Sequence, residues 1–126
     1  MTTSSPRQAS RAHGQAVEQV ACRYLQQQGL VLVDSNFNSR GGELDLVMTD
    51  KDTLVFVEVR FRKSDRFGSP LESITASKRQ KLLRTAQLYL LAHRQWQNRP
   101  CRFDVIAARP GESGLQFEWI QNAFGA

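Results

Sequence analysis

Two apolar runs separated by only two residues constrain this chain more than any other feature. "ELDLVMTD" (residues 43–50) and "TLVFVEVRF" (53–61) flank Lys51-Asp52, and their β-branched and aromatic content predicts a β-hairpin. Side chains alternate faces along a strand, and directly paired residues share a face. A two-residue turn pairs Asp50 with Thr53, so the numbers in every pair sum to 103. Asp45 then lies opposite Glu58, Val47 opposite Phe56 and Thr49 opposite Leu54. Leu44, Leu46, Met48, Val55, Val57, Val59 and Phe61 make a wholly apolar second face. A three-residue turn would part the two acids and break an apolar row with each, so the hydrophobic pattern selects the register.

Two carboxylates brought that close repel each other and call for a cation. Arg60, two residues along the same face, offers a structural salt bridge. A hard divalent ion such as Mg²⁺ is the alternative, since it takes oxygen ligands and is often held by one or two protein carboxylates. Glu18 would add a third oxygen ligand if its helix packs across the sheet; a solvated Glu is the plainer reading. Glu43, beside Gly42, reads as an exposed strand-edge residue or as part of the same site.

The rest of the chain divides readily. Residues 1–12, rich in Ser, Thr and Gln, read as a disordered arm, and 13–126 as one domain. Val17, Val20, Ala21, Tyr24 and Leu25 recur at helical spacing from Gly14 to Gln28, and Gly29 stops that helix. "LVLVDSNF" is a strand and "NSRGG" a turn. After the hairpin, "RKSDRFGSPLES" is a basic loop. A helix follows from Ala76 to Trp96, where Ser77 with Gln80 matches a capping box. Leu82, Leu83, Ala86, Tyr89, Leu90 and Trp96 form its apolar side, with Lys78, Lys81 and Arg84 as a basic stripe. "RFDVIAAR" and "LQFEWI" close the chain as strands around the turn "PGESG". Trp96 and Trp119 read as core residues, with base stacking the alternative, and Asp104 as a structural partner for a neighbouring Arg.

Composition bounds the function. At 126 residues, 40% hydrophobic and 23% charged, the chain suits one soluble globular domain. No apolar run approaches the roughly 18 residues of a membrane span. The polar first residues lack a signal-peptide core, so a cytoplasmic location is expected. Cys22 and Cys101 have no metal-ligand spacing and read as small buried hydrophobes. His13 and His93 stand far apart. Residues 60–102 hold eleven Lys or Arg against two acids, a balance of +9, whereas the remainder holds six against ten, or −4; together they make the net +5. A basic half suggests a polyanion partner, an acidic half metal-binding or catalytic carboxylates.

"GELDLV" followed by "VFVEVRFR" resembles the YraN-like family of bacterial proteins, which is assigned to the restriction-endonuclease-like, PD-(D/E)xK nuclease superfamily. The resemblance takes in "GQAVEQVACRYL", "ASKRQKLL" and "RFDVI" and runs to "WIQNAF". It implies an α/β fold with an αβββαβ core, a mixed central sheet flanked by helices. Asp45 would be the metal-binding Asp, Glu58 the acidic member of the signature, and Glu18 the helix-borne acid of archaeal Holliday-junction resolvase-like members. Arg60 stands where the signature has Lys. Arg stays charged and cannot act as a general base, but it can steady charge developing on a phosphate.

The function so implied is a metal-dependent endonuclease. Mg²⁺ or Mn²⁺ held by Asp45, Glu58 and Glu18 would assist hydrolysis of a phosphodiester. Arg40, Arg62, Lys63, Arg66, Lys78, Lys81 and Arg84 would grip neighbouring phosphates. With no base-reading module in the chain, the expected substrate is DNA of a particular shape, a branch or junction, whose two-fold symmetry a homodimer would match. A non-catalytic nucleic-acid binder on the same fold is the alternative, and a module meeting an acidic protein partner the third reading.

Overall fold

A computed structural model describes residues 6–63 and 68–125, with backbone alone for 6–12. The hairpin forms in the expected register: Asp50 pairs with Thr53, Thr49 with Leu54, Met48 with Val55, Val47 with Phe56 and Leu46 with Val57. Lys51 takes φ 56°, the left-handed conformation that a two-residue hairpin demands.

The element order is α1 (Pro6–Gln27), β1 (Val31–Ser39), β2 (Gly42–Asp50), β3 (Thr53–Phe61), α2 (Ala76–Ala92), β4 (Cys101–Gly111) and β5 (Gly114–Phe124), with short 3₁₀ turns at Leu71–Ser73 and Arg94–Trp96. One five-stranded sheet carries the strands in sequence order. β3 and β4 run parallel, joined through α2, and the other neighbours are antiparallel. This is the mixed sheet flanked by helices expected above, and it is consistent with a restriction-endonuclease-like core.

The alternation of the hairpin divides the core between the helices. Ala21, Cys22 and Leu25 of α1 pack on Leu46, Met48, Val55, Val57 and Ile106. Leu82, Ala86 and Tyr89 of α2 pack on Val47, Leu54, Phe56, Phe103 and Val105 of the opposite face. Asp104, wholly buried, is structural: it accepts hydrogen bonds from Arg102, from the Trp119 indole at 2.9 Å and from the Asn122 amide at 2.9 Å. Trp119 is thereby a packing residue, as is the half-buried Trp96.

Several boundaries differ from the sequence reading. α1 begins at Pro6, so residues 6–12 of the expected arm have helical backbone, while 1–5 lie outside the described residues. Gly29 ends this helix as expected: its φ of 104° lets the Leu30 amide turn back to the Leu25 carbonyl. α2 is capped by Thr75, not by Ser77, because Thr75 is extended and its hydroxyl accepts from the Lys78 amide, leaving Ser77 inside the helix. The same helix ends at Ala92: His93 leaves helical geometry, and Trp96 belongs to the 3₁₀ turn that follows. Cys101 is exposed rather than buried, since β4 begins there at the sheet's rim, whereas Cys22 is buried.

Leu44 is the informative exception. Alternation places it with Leu46, yet it is buried with Val47 and Phe56 on the α2 side. β1 shows why. Its pairs Ser35–Leu46 and Phe37–Leu44 bracket Asn36 and Asp45, and Asn36 has φ 53°. That left-handed residue turns the strand, so Phe37 meets Tyr89 of α2 while Ser35 lines a cleft beside α1. Both strands change faces at Asn36 and Asp45.

Candidate active site

The change of face places three acids at one end of the sheet. Glu18 comes from α1, Asp45 from the kinked part of β2, and Glu58 from β3 just past the last β2–β3 pair at Leu46–Val57. There the strands part. The Val59 amide donates to the Asp45 carboxylate at 2.9 Å instead of to main chain. Glu58 is buried, Asp45 and Glu18 half-buried.

The acids lie in a row, Glu18 beside Asp45 and Asp45 beside Glu58, close enough to shift one another's titration. Buried carboxyl groups so close to one another resist full ionisation. Burial above all, then the charge of Glu58, pushes Asp45 up to about 7, against the pull of the Val59 amide. Glu18 is also pushed up to about 7, first by burial, with Asp45 and Glu43 adding to it and a bond from Asn36 opposing it. Glu58 is raised by burial and held back by Lys78 and Arg60.

Positive charge meets the row on one side. Arg60 Nη1 lies 3.7 Å from Glu58 Oε1, and Lys78 Nζ, from the first turn of α2, lies 3.8 Å from the same oxygen. Arg60 also donates to the Ser73 carbonyl at 2.9 Å and to its hydroxyl at 3.3 Å. On the other side Asn36 Nδ2 reaches Glu18 at 2.8 Å and the exposed Glu43 at 3.1 Å, so Glu43 stands at the rim of the site.

Of the basic residues expected to contact phosphate, Lys78 is therefore inside the site. Arg40, Lys63, Lys81 and Arg84 are exposed and Arg62 is half-buried; Arg66 lies outside the described residues. Gly42 keeps the β1–β2 turn close to α2: a Cβ there would collide with Thr85 Oγ1. Arg40 and the Lys81–Arg84 stripe consequently occupy the acid-bearing end of the molecule. Asn36 and Ser73 were not singled out from sequence. An Asn within a strand does favour positive φ, and that was a readable signal; Ser73 carried none.

The donor set consists of carboxylate oxygens, which suits a hard ion such as Mg²⁺ or Mn²⁺. Among the described residues no three acidic, histidine or cysteine side chains converge as a ready cage. Two carboxylates with water and phosphate oxygens completing the shell meet the needs of Mg²⁺ without one. Glu18 opens on a cleft of about 380 Å³ between α1 and the β1–β2 pair. A larger cleft of about 1010 Å³ follows the other flank of α1, beside Arg23, Tyr24, Arg62 and Phe117; the three acids do not line it.

Fold and site together define a class: a mixed α/β-sheet domain whose two central strands part around an acid row, with a basic helix start alongside. The chain belongs to the uncharacterised protein family UPF0102, whose model matches residues 17–108, a span that includes Glu18, Asp45, Glu58, Arg60 and Lys78. A UPF0102 protein of Pseudomonas aeruginosa is 49% identical over 122 residues, covering 95% of this chain and 98% of its own. Relatives from Stutzerimonas stutzeri and Pseudomonas putida are each 47% identical, over 115 and 125 residues; the first covers 91% of this chain and 96% of its own length, the second 98% of both. Among the described residues no helix is long and apolar enough to cross a membrane.

Proposed function

We propose that this protein is a metal-dependent endonuclease that hydrolyses phosphodiester bonds in branched or junction DNA. The observation that carries the reading is the row Glu18–Asp45–Glu58, carboxyl groups crowded where a divalent cation would relieve their mutual repulsion, next to a basic helix start. Asp45 and Glu58 would hold Mg²⁺ or Mn²⁺, with Glu18 as a further oxygen ligand. Bound there, such an ion supplies Lewis-acid polarisation of the phosphate and lowers the pKa of the attacking water.

The chain's own residues do the rest. Val59 fixes the Asp45 carboxylate by its amide, and Asn36 orients Glu18. Arg62, Lys63, Lys81, Arg84 and Arg40 bind flanking phosphates without reading sequence, which suits a substrate recognised by shape. In the reaction the water oxygen bonds to phosphorus and the bond to the leaving sugar oxygen breaks. One water proton ends on that oxygen and the other passes to solvent. A homodimer would match the two-fold symmetry of a junction.

The tie between Arg60 and Ser73 favours a second reading, a non-catalytic DNA binder, because it gives the signature position a structural duty. One experiment separates the two. Labelled linear, flapped and four-way DNAs are incubated with Mg²⁺, Mn²⁺ or EDTA, using wild type, Asp45→Asn and Glu58→Gln. Metal-dependent cutting that both substitutions abolish, with binding retained, supports the nuclease. Salt-sensitive binding with no cutting under either metal supports the binder.

A further inference from the structure

Resting on the endonuclease reading, we propose that Lys78, and not Arg60, is the catalytic cation that contacts the scissile phosphate. Arg60 keeps Nη1 at Glu58, 3.7 Å away, but its other two nitrogens are committed elsewhere. Its Nη2 and Nε donate to the carbonyl and hydroxyl of Ser73, and the Ser73 hydroxyl donates in turn to the Pro70 carbonyl at 2.6 Å. These bonds tie the end of β3 to the 3₁₀ turn Leu71–Ser73, which leads directly into α2. Arg60 is thereby a positioning residue: it sets where α2 begins relative to the acids.

Lys78 has the complementary properties. Its side chain is 42% exposed, and among the described residues its ammonium pairs with Glu58 alone, at 3.8 Å. An ammonium carries three donors on a flexible stem, so it can keep Glu58 and turn another N–H to a phosphate oxygen. The first turn of α2 contains no acid, although Lys78 and Arg79 place positive charge at the positive end of the helix dipole. Arg79 is accounted for by bonds to the Ile74 and Leu71 carbonyls. What remains is a Lys held against its own helix end, a position that Glu58 offsets in part and an arriving phosphate would offset further. Position 60 then needs no Lys, because the ammonium reaches the same carboxylate from α2.

Three measurements on the full chain test this: single-turnover cutting at saturating protein, DNA affinity in EDTA, and the thermal midpoint. Lys78→Ala is expected to lower the single-turnover rate about 100-fold or more, the scale for removing one donor that stabilises transition-state charge. Its affinity should stay within about threefold, since Lys78 is one phosphate contact among several, with the midpoint unchanged. Lys78→Arg should recover part of the rate. Arg60→Ala and the milder Arg60→Gln should lower the midpoint, and Arg60→Lys should bring no gain in rate. Wild-type cutting by Lys78→Ala, or loss of cutting in Arg60→Gln at unchanged midpoint, would overturn the assignment and leave the endonuclease reading standing. A wild type that cuts none of the DNAs with either metal overturns both.

Discussion

The amide of Val59 donates a 2.9 Å hydrogen bond to the Asp45 carboxylate, across the point where β2 and β3 cease to pair. By register that amide faces the main chain of Leu44, and a side chain has taken its place. The strands part, Leu44 moves to the α2 side, and the carboxylate sits in the gap with Glu58 next to it.

From this follows an unusual pH dependence. Asp45 is raised from 3.8 to about 7, so the folded state binds its proton more tightly than the unfolded chain does. Its contribution to stability is fully present below about pH 4 and is lost as pH rises through about 7. Glu18, also raised to about 7, acts in the same sense. The metal-free protein should lose stability across that window, and Asp45→Asn should flatten the curve and raise the midpoint at pH 8 by a few degrees, about 1 kcal/mol. Thermal melts from pH 4 to 8 in EDTA measure it; parallel curves for the two proteins would refute the argument.

Divalent ions should reverse that loss. If Asp45 and Glu58 hold Mg²⁺ or Mn²⁺ as proposed, binding at pH 7 should displace protons from the acid row, and titration calorimetry in buffers of different ionisation enthalpy should register their release. The midpoint should rise with metal in the wild type and not in Asp45→Asn or Glu58→Gln. An equal rise in all three places the ion elsewhere.

Gly42 should tolerate no side chain while Thr85 is present. A Cβ there collides with Thr85 Oγ1, whose hydroxyl is committed to the Lys81 carbonyl at 2.7 Å. Gly42→Ala is expected to cost about 1–3 kcal/mol in urea unfolding. The remaining contacts are ordinary, so most of that cost should vanish in a Thr85→Ala background. Additive losses would show that the strain lies in the backbone.

Asp104 should matter more to stability than Asp45 or Glu58. It is wholly buried and accepts from Arg102, Trp119 and Asn122 together. Asp104→Ala leaves the Arg102 guanidinium without this partner and should cost about 3–5 kcal/mol by chemical denaturation. A loss below about 1 kcal/mol would mean that the network is replaceable.

Much of this architecture was legible in the residues because it depends on local periodicity. Alternation over 43–61 decided the hairpin and its register, and with it that Asp45 and Glu58 lie near each other, while helical spacing over 17–25 decided α1. Ser77 with Gln80 has the spacing of a capping box, yet Thr75 is the cap, because it is the extended residue whose hydroxyl meets the Lys78 amide. Cys101 reads as a small buried hydrophobe by residue type, but it stands at the first position of β4, where the strand's end meets solvent.

The sequence by itself determined which residues alternate, where the tight hairpin turn falls and that Asp45 and Glu58 share a face, because these follow from side-chain period and residue type. The tertiary structure alone decided that β1 and β2 change faces at Asn36 and Asp45, that Arg60 is tied to Ser73, and that Lys78 reaches Glu58 from a helix twenty residues further along. Those relations join elements that carry no mark of one another, and only packing both helices on one twisted sheet brings them within a hydrogen bond or an ion pair.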